Sequence, residues 1–80
     1  MAKRRVYLTY EGETIKKPLI YEMGHKFAVV TNVRTASISK TLGLVGLELE
    51  GDSAEIDKAL EWIASEGVTV EPIEMGVVEG

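Results

Sequence analysis

An α+β domain with the element order β-α-β-β-α-β is what this sequence predicts, from three observations. Stretches of two-residue alternation and stretches of helical spacing follow one another in that order. Glycine, proline and short polar clusters fall between them, where turns are needed. The chain has 80 residues, 45% of them hydrophobic and 28% charged, which suits one globular domain rather than two or a disordered segment.

The first element is Arg5-Val6-Tyr7-Leu8-Thr9-Tyr10, which alternates with period two and puts Val6, Leu8 and Tyr10 on one face. Glu11-Gly12-Glu13 breaks the pattern as a turn. Pro18 suits a first helical turn, where its missing N–H would be unpaired anyway. From there Ile20, Met23, Gly24 and Phe27 recur at helical spacing, and Gly24 suggests close approach of this helix to the sheet. Ala28 to Ile38 is the second strand. Val33 and Ile38 both look core-facing yet lie an odd number of positions apart, so an irregular backbone is expected around Arg34 to Ser37. Ser39-Lys40-Thr41 is a polar turn. Leu42 to Glu50 is the third strand, with Val45, Leu47 and Leu49 on one face, Gly43 and Gly46 expected on the other, and Gly51 at its end.

Asp52 is placed to cap a second helix, with Glu55 positioned to reach back in a capping box. Ile56, Ala59, Leu60 and Ile63 form its apolar stripe, Trp62 lies on the flank, and Gly67 closes it. Val68 to Glu71 is a fourth strand, confined by Pro72 to an edge or a terminus. Residues 74–80 have no periodicity and are expected to fray, which leaves a core of about 5–73 within a single domain spanning 1–80. Two helices on one face of a four-stranded antiparallel sheet, in spatial order 4-1-3-2, is the ferredoxin-like, split-βαβ arrangement. The opposite face then carries Tyr7, Val30, Asn32 and Leu44. A partly apolar open face of this kind marks an interaction site. Asparagine is a poor strand former, so Asn32 within an otherwise apolar strand calls for a function beyond packing.

Composition excludes several classes. With no cysteine, neither a disulfide framework nor a thiolate metal site is possible. The net charge of −4 argues against general nucleic-acid binding, which depends on neutralising phosphates. Lys3-Arg4-Arg5 is the exception, and three basic residues at the start of a strand fit a solvated end. No apolar run approaches the length of a membrane span, and no hydrophobic signal region follows the basic N-terminus. His25 stands alone, with no cysteine or hydroxyl visibly paired with it, so no catalytic centre is expected. Glu50 and Asp52 flank a glycine and could meet a hard cation weakly, but capping and solvation account for them. No cofactor and no metal are expected.

Leu8-Thr9-Tyr10, Pro18-Leu19-Ile20, Asn32-Val33, Gly43 with Leu47-Glu48-Leu49-Glu50-Gly51, Ala59-Leu60 and Glu66-Gly67-Val68 together resemble the NIL domain, over about Val6 to Val70. That family is best known as the C-terminal regulatory domain of the ATPase subunit of bacterial methionine importers. There it is similar to ACT domains, pairs with a second copy and binds methionine to inhibit transport. It also occurs fused to iron–sulfur ferredoxin modules and as short stand-alone proteins, and this chain looks like the stand-alone form. It carries no phosphate-binding G-x-x-x-x-G-K-[ST] loop and no cluster-binding cysteines. The family's Asn-Ile-Leu triplet reads Asn32-Val33-Arg34 here, with arginine in place of leucine. The family's asparagine is linked to ligand binding at the domain–domain interface, and that role carries over to Asn32. Val33 and Arg34 complete the candidate ligand-binding segment.

The chemistry of these side chains is compatible with such a role. Asn32 offers both donors and an acceptor, which suits the zwitterionic backbone of an amino acid. The Arg34 fork can grip a carboxylate, whether of a ligand or of a partner chain. The resemblance therefore implies a cytoplasmic, non-enzymatic regulatory domain, a homodimer that binds a sulfur amino acid such as methionine. The alternative is a protein–protein interaction module that pairs with an iron–sulfur or transporter component and takes no small molecule.

Overall fold

The computed structural model describes residues 1–73; the expected fraying of residues 74–80 falls outside them. Its elements are β1 (Ala2–Glu11), a 3-10 helix (Gly12–Lys16), α1 (Leu19–Lys26), β2 (Val29–Ile38), β3 (Leu42–Gly51), α2 (Ser53–Ser65) and β4 (Thr69–Pro72). The four strands form one antiparallel sheet in the order β2-β3-β1-β4, the expected order read from the other side. β1 and β3 are central and pair along ten residues, from Ala2 with Gly51 to Glu11 with Leu42. β2 and β4 are the edges.

The core lies between the sheet and the two helices. From the sheet come Val6, Leu8 and Tyr10 of β1, Val29 of β2, and Val45, Leu47 and Leu49 of β3. Leu19 and Met23 of α1, and Ile56, Ala59 and Ile63 of α2, close over them. Leu60 and Trp62 pack at the margin, with the Trp62 ring tilted against Phe27 at 6.2 Å. Each large side chain that is fully withdrawn from water contributes about 1.5–3 kcal/mol. Alternation along β1 and β3 is therefore what fixes which side of the sheet the helices cover.

Several expectations are corrected. β1 begins at Ala2 rather than at Arg5, so Lys3-Arg4-Arg5 lies wholly inside it instead of forming its solvated end. Arg4 and Arg5 point to opposite faces, Arg4 to Asp57 of α2 and Arg5 to Glu48 of β3. The turn after β1 continues into a 3-10 helix, tied by the Thr14 hydroxyl, which donates to the Glu11 carbonyl at 2.8 Å and accepts from the Glu11 N–H at 3.0 Å. Pro18 caps α1 from outside, and Phe27 is already extended. Gly24 approaches nothing: a β-carbon there would meet no atom within 4 Å. Gly43 shares the helix side with its partner Tyr10, whereas Gly46 is on the open face.

The Asp52–Glu55 capping box does not form, and α2 has no side-chain cap. Instead the Ala28 N–H donates to Glu55 Oε1 at 2.9 Å, fastening the start of α2 to the start of β2. That bond holds the Glu55 carboxyl below the usual carboxylate range. Burial pushes the Tyr10 phenol up to about 12, and its hydroxyl has no hydrogen-bond partner among the described residues.

Candidate functional site

The open face is built in rows by the strand register. Asn32 of β2, Glu48 of β3 and Arg5 of β1 lie side by side in one row. Thr35, Gly46, Tyr7 and Glu71 form the next. Between these rows β2 carries one extra residue: Val33 pairs with Leu47 and Thr35 with Gly46, so Arg34 has no partner of its own. A bulge of this kind turns the strand and resets its alternation. Asn32, Arg34 and Thr35 consequently belong to the open face, while Val33 and Ile38 both fall on the helix side. The parity conflict between Val33 and Ile38 is resolved by this bulge. Neither residue enters the core, however: Val33 is 50% and Ile38 64% exposed, because the helices do not reach the outer edge of β2.

At Gly46 the sheet surface is hollow. A β-carbon there would lie 2.8 Å from Thr35 Oγ1 and 3.5 Å from the Tyr7 ring. Arg5, Tyr7, Arg34, Thr35 and Ile73 surround a cavity of about 200 Å³ over this glycine and Leu47. The Arg5 Nε–H donates to Glu48 Oε2 at 3.1 Å. That bond, with lesser help from the charges of Arg5, Lys3 and Arg34, holds the Glu48 carboxyl below its ordinary range. Glu48 is thus an anion already matched by Arg5. Arg34 pairs with no carboxylate among the described residues, and Asn32 makes no side-chain hydrogen bond there, to its own main chain or elsewhere.

The three candidate residues therefore separate into two groups. Asn32 and Arg34 share the uncovered face. Val33 lies on the other side of the same edge strand. Tyr7, Val30 and Leu44 leave apolar surface on the open face, 43%, 62% and 43% exposed. Sequence reasoning missed Arg5 and Thr35 as parts of this surface; Gly46 was expected on this face, and it is found there beside Tyr7 and Thr35. It also missed a second cavity of about 190 Å³ on the helix side, between Ile15, Pro18, Leu19 and Ile38, with Tyr10 and Gly43 beneath. No group of three or more His, Cys, Asp or Glu residues capable of holding a metal occurs among the described residues. None of the described helices is long and apolar enough to cross a membrane.

Comparison with known proteins places the chain. The family model for the NIL domain matches residues 4–72. A methionine import ATP-binding protein, MetN, of Geobacillus kaustophilus is 40% identical over 70 residues, covering 82% of this chain and 20% of that protein. MetN of Halalkalibacterium halodurans is 36% identical over 74 residues, covering 88% and 22%. The chain thus spans about a fifth of the length of these relatives. The C-terminal domain of an ABC transporter ATP-binding protein from Enterococcus faecalis, known from a crystal structure, superposes with a TM-score of 0.77 at 21% identity, covering 88% of this chain and 82% of that one. It shares the four-stranded sheet and two-helix fold. With the family model spanning nearly the whole described chain, this protein belongs to the NIL domain family.

Proposed function

We propose that this chain is a cytoplasmic regulatory domain that binds a sulfur amino acid, methionine first among them, at the interface of a homodimer, and that it has no catalytic activity of its own. Support for the ligand comes from the relatives, which are methionine import ATP-binding proteins. One structural observation carries the reading to particular residues. Strand alternation puts Asn32 and Arg34 on the same uncovered face of the edge strand β2, and the bulge at Arg34 adds Thr35 to it. There the Asn32 amide, unpaired among the described residues, can donate and accept, and Arg34 adds a positive charge. Val33, on the other side of that strand, belongs to the contact with the second copy.

Calorimetric titration with each amino acid in turn tests this. Heat on adding methionine, little with the others, and a ligand-dependent rise in the dimer fraction are expected, since a ligand that prefers the dimer stabilises it by linkage. If no amino acid binds, the second reading takes over: an interaction module for a transporter or iron–sulfur component. The exposed apolar surface of Tyr7, Val30 and Leu44 favours that alternative.

A further inference from the structure

We infer that the hollow over Gly46 is a carboxylate-binding subsite, complete within one protomer, in which Arg34 and Thr35 hold the anion and the Tyr7 ring takes the adjoining apolar group. The inference builds on the proposed ligand-binding role of the open face and deepens it. It also makes a claim that methionine binding alone would not establish.

Four features meet at this point. Glycine at position 46 removes the side chain that would otherwise fill the row between Thr35 and Tyr7, and even a β-carbon would crowd the Thr35 hydroxyl. Arg34, left without a cross-strand partner by the bulge, stands at the rim of the hollow, and the bulge turns Thr35 to the same face beside it. Arg5, also on the rim, is committed to Glu48. Its charge and that of Glu48 largely offset each other, so Arg34 is the cation left at the β2 end of the Gly46 row, with Glu71 at the far end beyond Tyr7. The Thr35 hydroxyl, which has no hydrogen-bond partner among the described residues, can donate to the same anion.

Donors on one side and an aromatic ring on the other suit a carboxylate carrying a short apolar group. The volume of about 200 Å³ lies below the range of drug-sized ligand pockets, which restricts the occupant to a few heavy atoms or to one end of a larger molecule.

The test is a titration of the full chain with sodium propionate, followed by amide chemical shifts, with propionamide as the neutral counterpart and sodium chloride as the ionic-strength control. Propionate should move the amides of Tyr7, Thr35 and Gly46 in a saturable way, and propionamide and chloride should not. Arg34→Ala should weaken the propionate response about tenfold, in line with the loss of a charge-assisted pair. Gly46→Val, which fills the hollow with a good strand former, should abolish it. A propionate response at these amides without any methionine binding would retain the subsite and remove the sensor reading. Methionine binding equalled by methioninol, with an unchanged affinity in Arg34→Ala, would overturn the subsite and leave the sensor reading in place.

Discussion

A methyl group added at Gly24 would point into open space, whereas one added at Gly51 would lie 2.8 Å from the Ala28 carbonyl oxygen. The two glycines therefore respond in opposite directions. Gly24→Ala removes backbone freedom from the unfolded chain and improves helix propensity at no steric cost, so it should stabilise the domain by about 0.5–1 kcal/mol. Gly51→Ala must push apart the junction where β1, β2 and β3 end together, and should cost about 1–3 kcal/mol. Urea denaturation of the two variants beside wild type reads both signs. Tyr10 gives a third prediction at this scale. Its hydroxyl is buried without a partner among the described residues, so Tyr10→Phe should be neutral or stabilising by up to about 1 kcal/mol at neutral pH. In alkali, the unfolded phenol ionises near its ordinary 10.0 while the folded one holds its proton to about 12. Stability should therefore fall as pH rises between those values, and Tyr10→Phe should abolish that part of the loss.

Elements differ in how far their sequences disclose them. The strands of the core and α2 were legible because their apolar residues repeat with a clean period, Val6-Leu8-Tyr10 in one case and Ile56-Ala59-Ile63 in the other. The bulge in β2 was legible for a subtler reason: Val33 and Ile38 could share a side only if the strand gained a residue. What the sequence could not disclose depended on partners distant along the chain. Glu55 has the spacing of a capping box, yet it is taken by the Ala28 N–H, 27 residues away. Gly43 and Gly46 lie an odd number of positions apart, so strand alternation already separates them, and the pairing of Gly43 with the buried Tyr10 confirms that Gly43 is on the helix side. Asn32 and Arg34 stand out in the sequence as candidates, but their neighbours Arg5 and Thr35 come from strand register, which no local pattern encodes. The Glu55 bond has a measurable consequence. Its folded carboxyl titrates below the ordinary value of 4.5, so its contribution is present above that pH and is lost as pH falls through the lower folded value. Glu55→Gln should flatten the decline in urea midpoint between neutral and acid pH, leaving the part due to Glu48.

At the scale of the whole molecule, the two sheet edges are unequal. β4 is four residues long and ends in Pro72, which blunts its capacity to pair. β2 runs ten residues with its outer donors and acceptors uncovered, interrupted only by the bulge and the charge at Arg34. Val33 and Ile38 add exposed apolar surface along the same edge. A domain of 80 residues buries a modest core, and association is a common way for such chains to gain stability. The proposed homodimer accordingly uses the β2 edge, where backbone pairing and apolar contact coincide. Val33→Lys places a charge on that edge without touching the core, because Val33 is half exposed in the single chain. Its thermal midpoint at low concentration should therefore match wild type, whereas its midpoint at high concentration should fall below, since only wild type gains stability by association. Sedimentation should show wild type shifting to twice the monomer mass as concentration rises and the variant remaining monomeric. A wild type that stays monomeric throughout would remove the dimer from the proposed mechanism, and with it the role assigned to Val33.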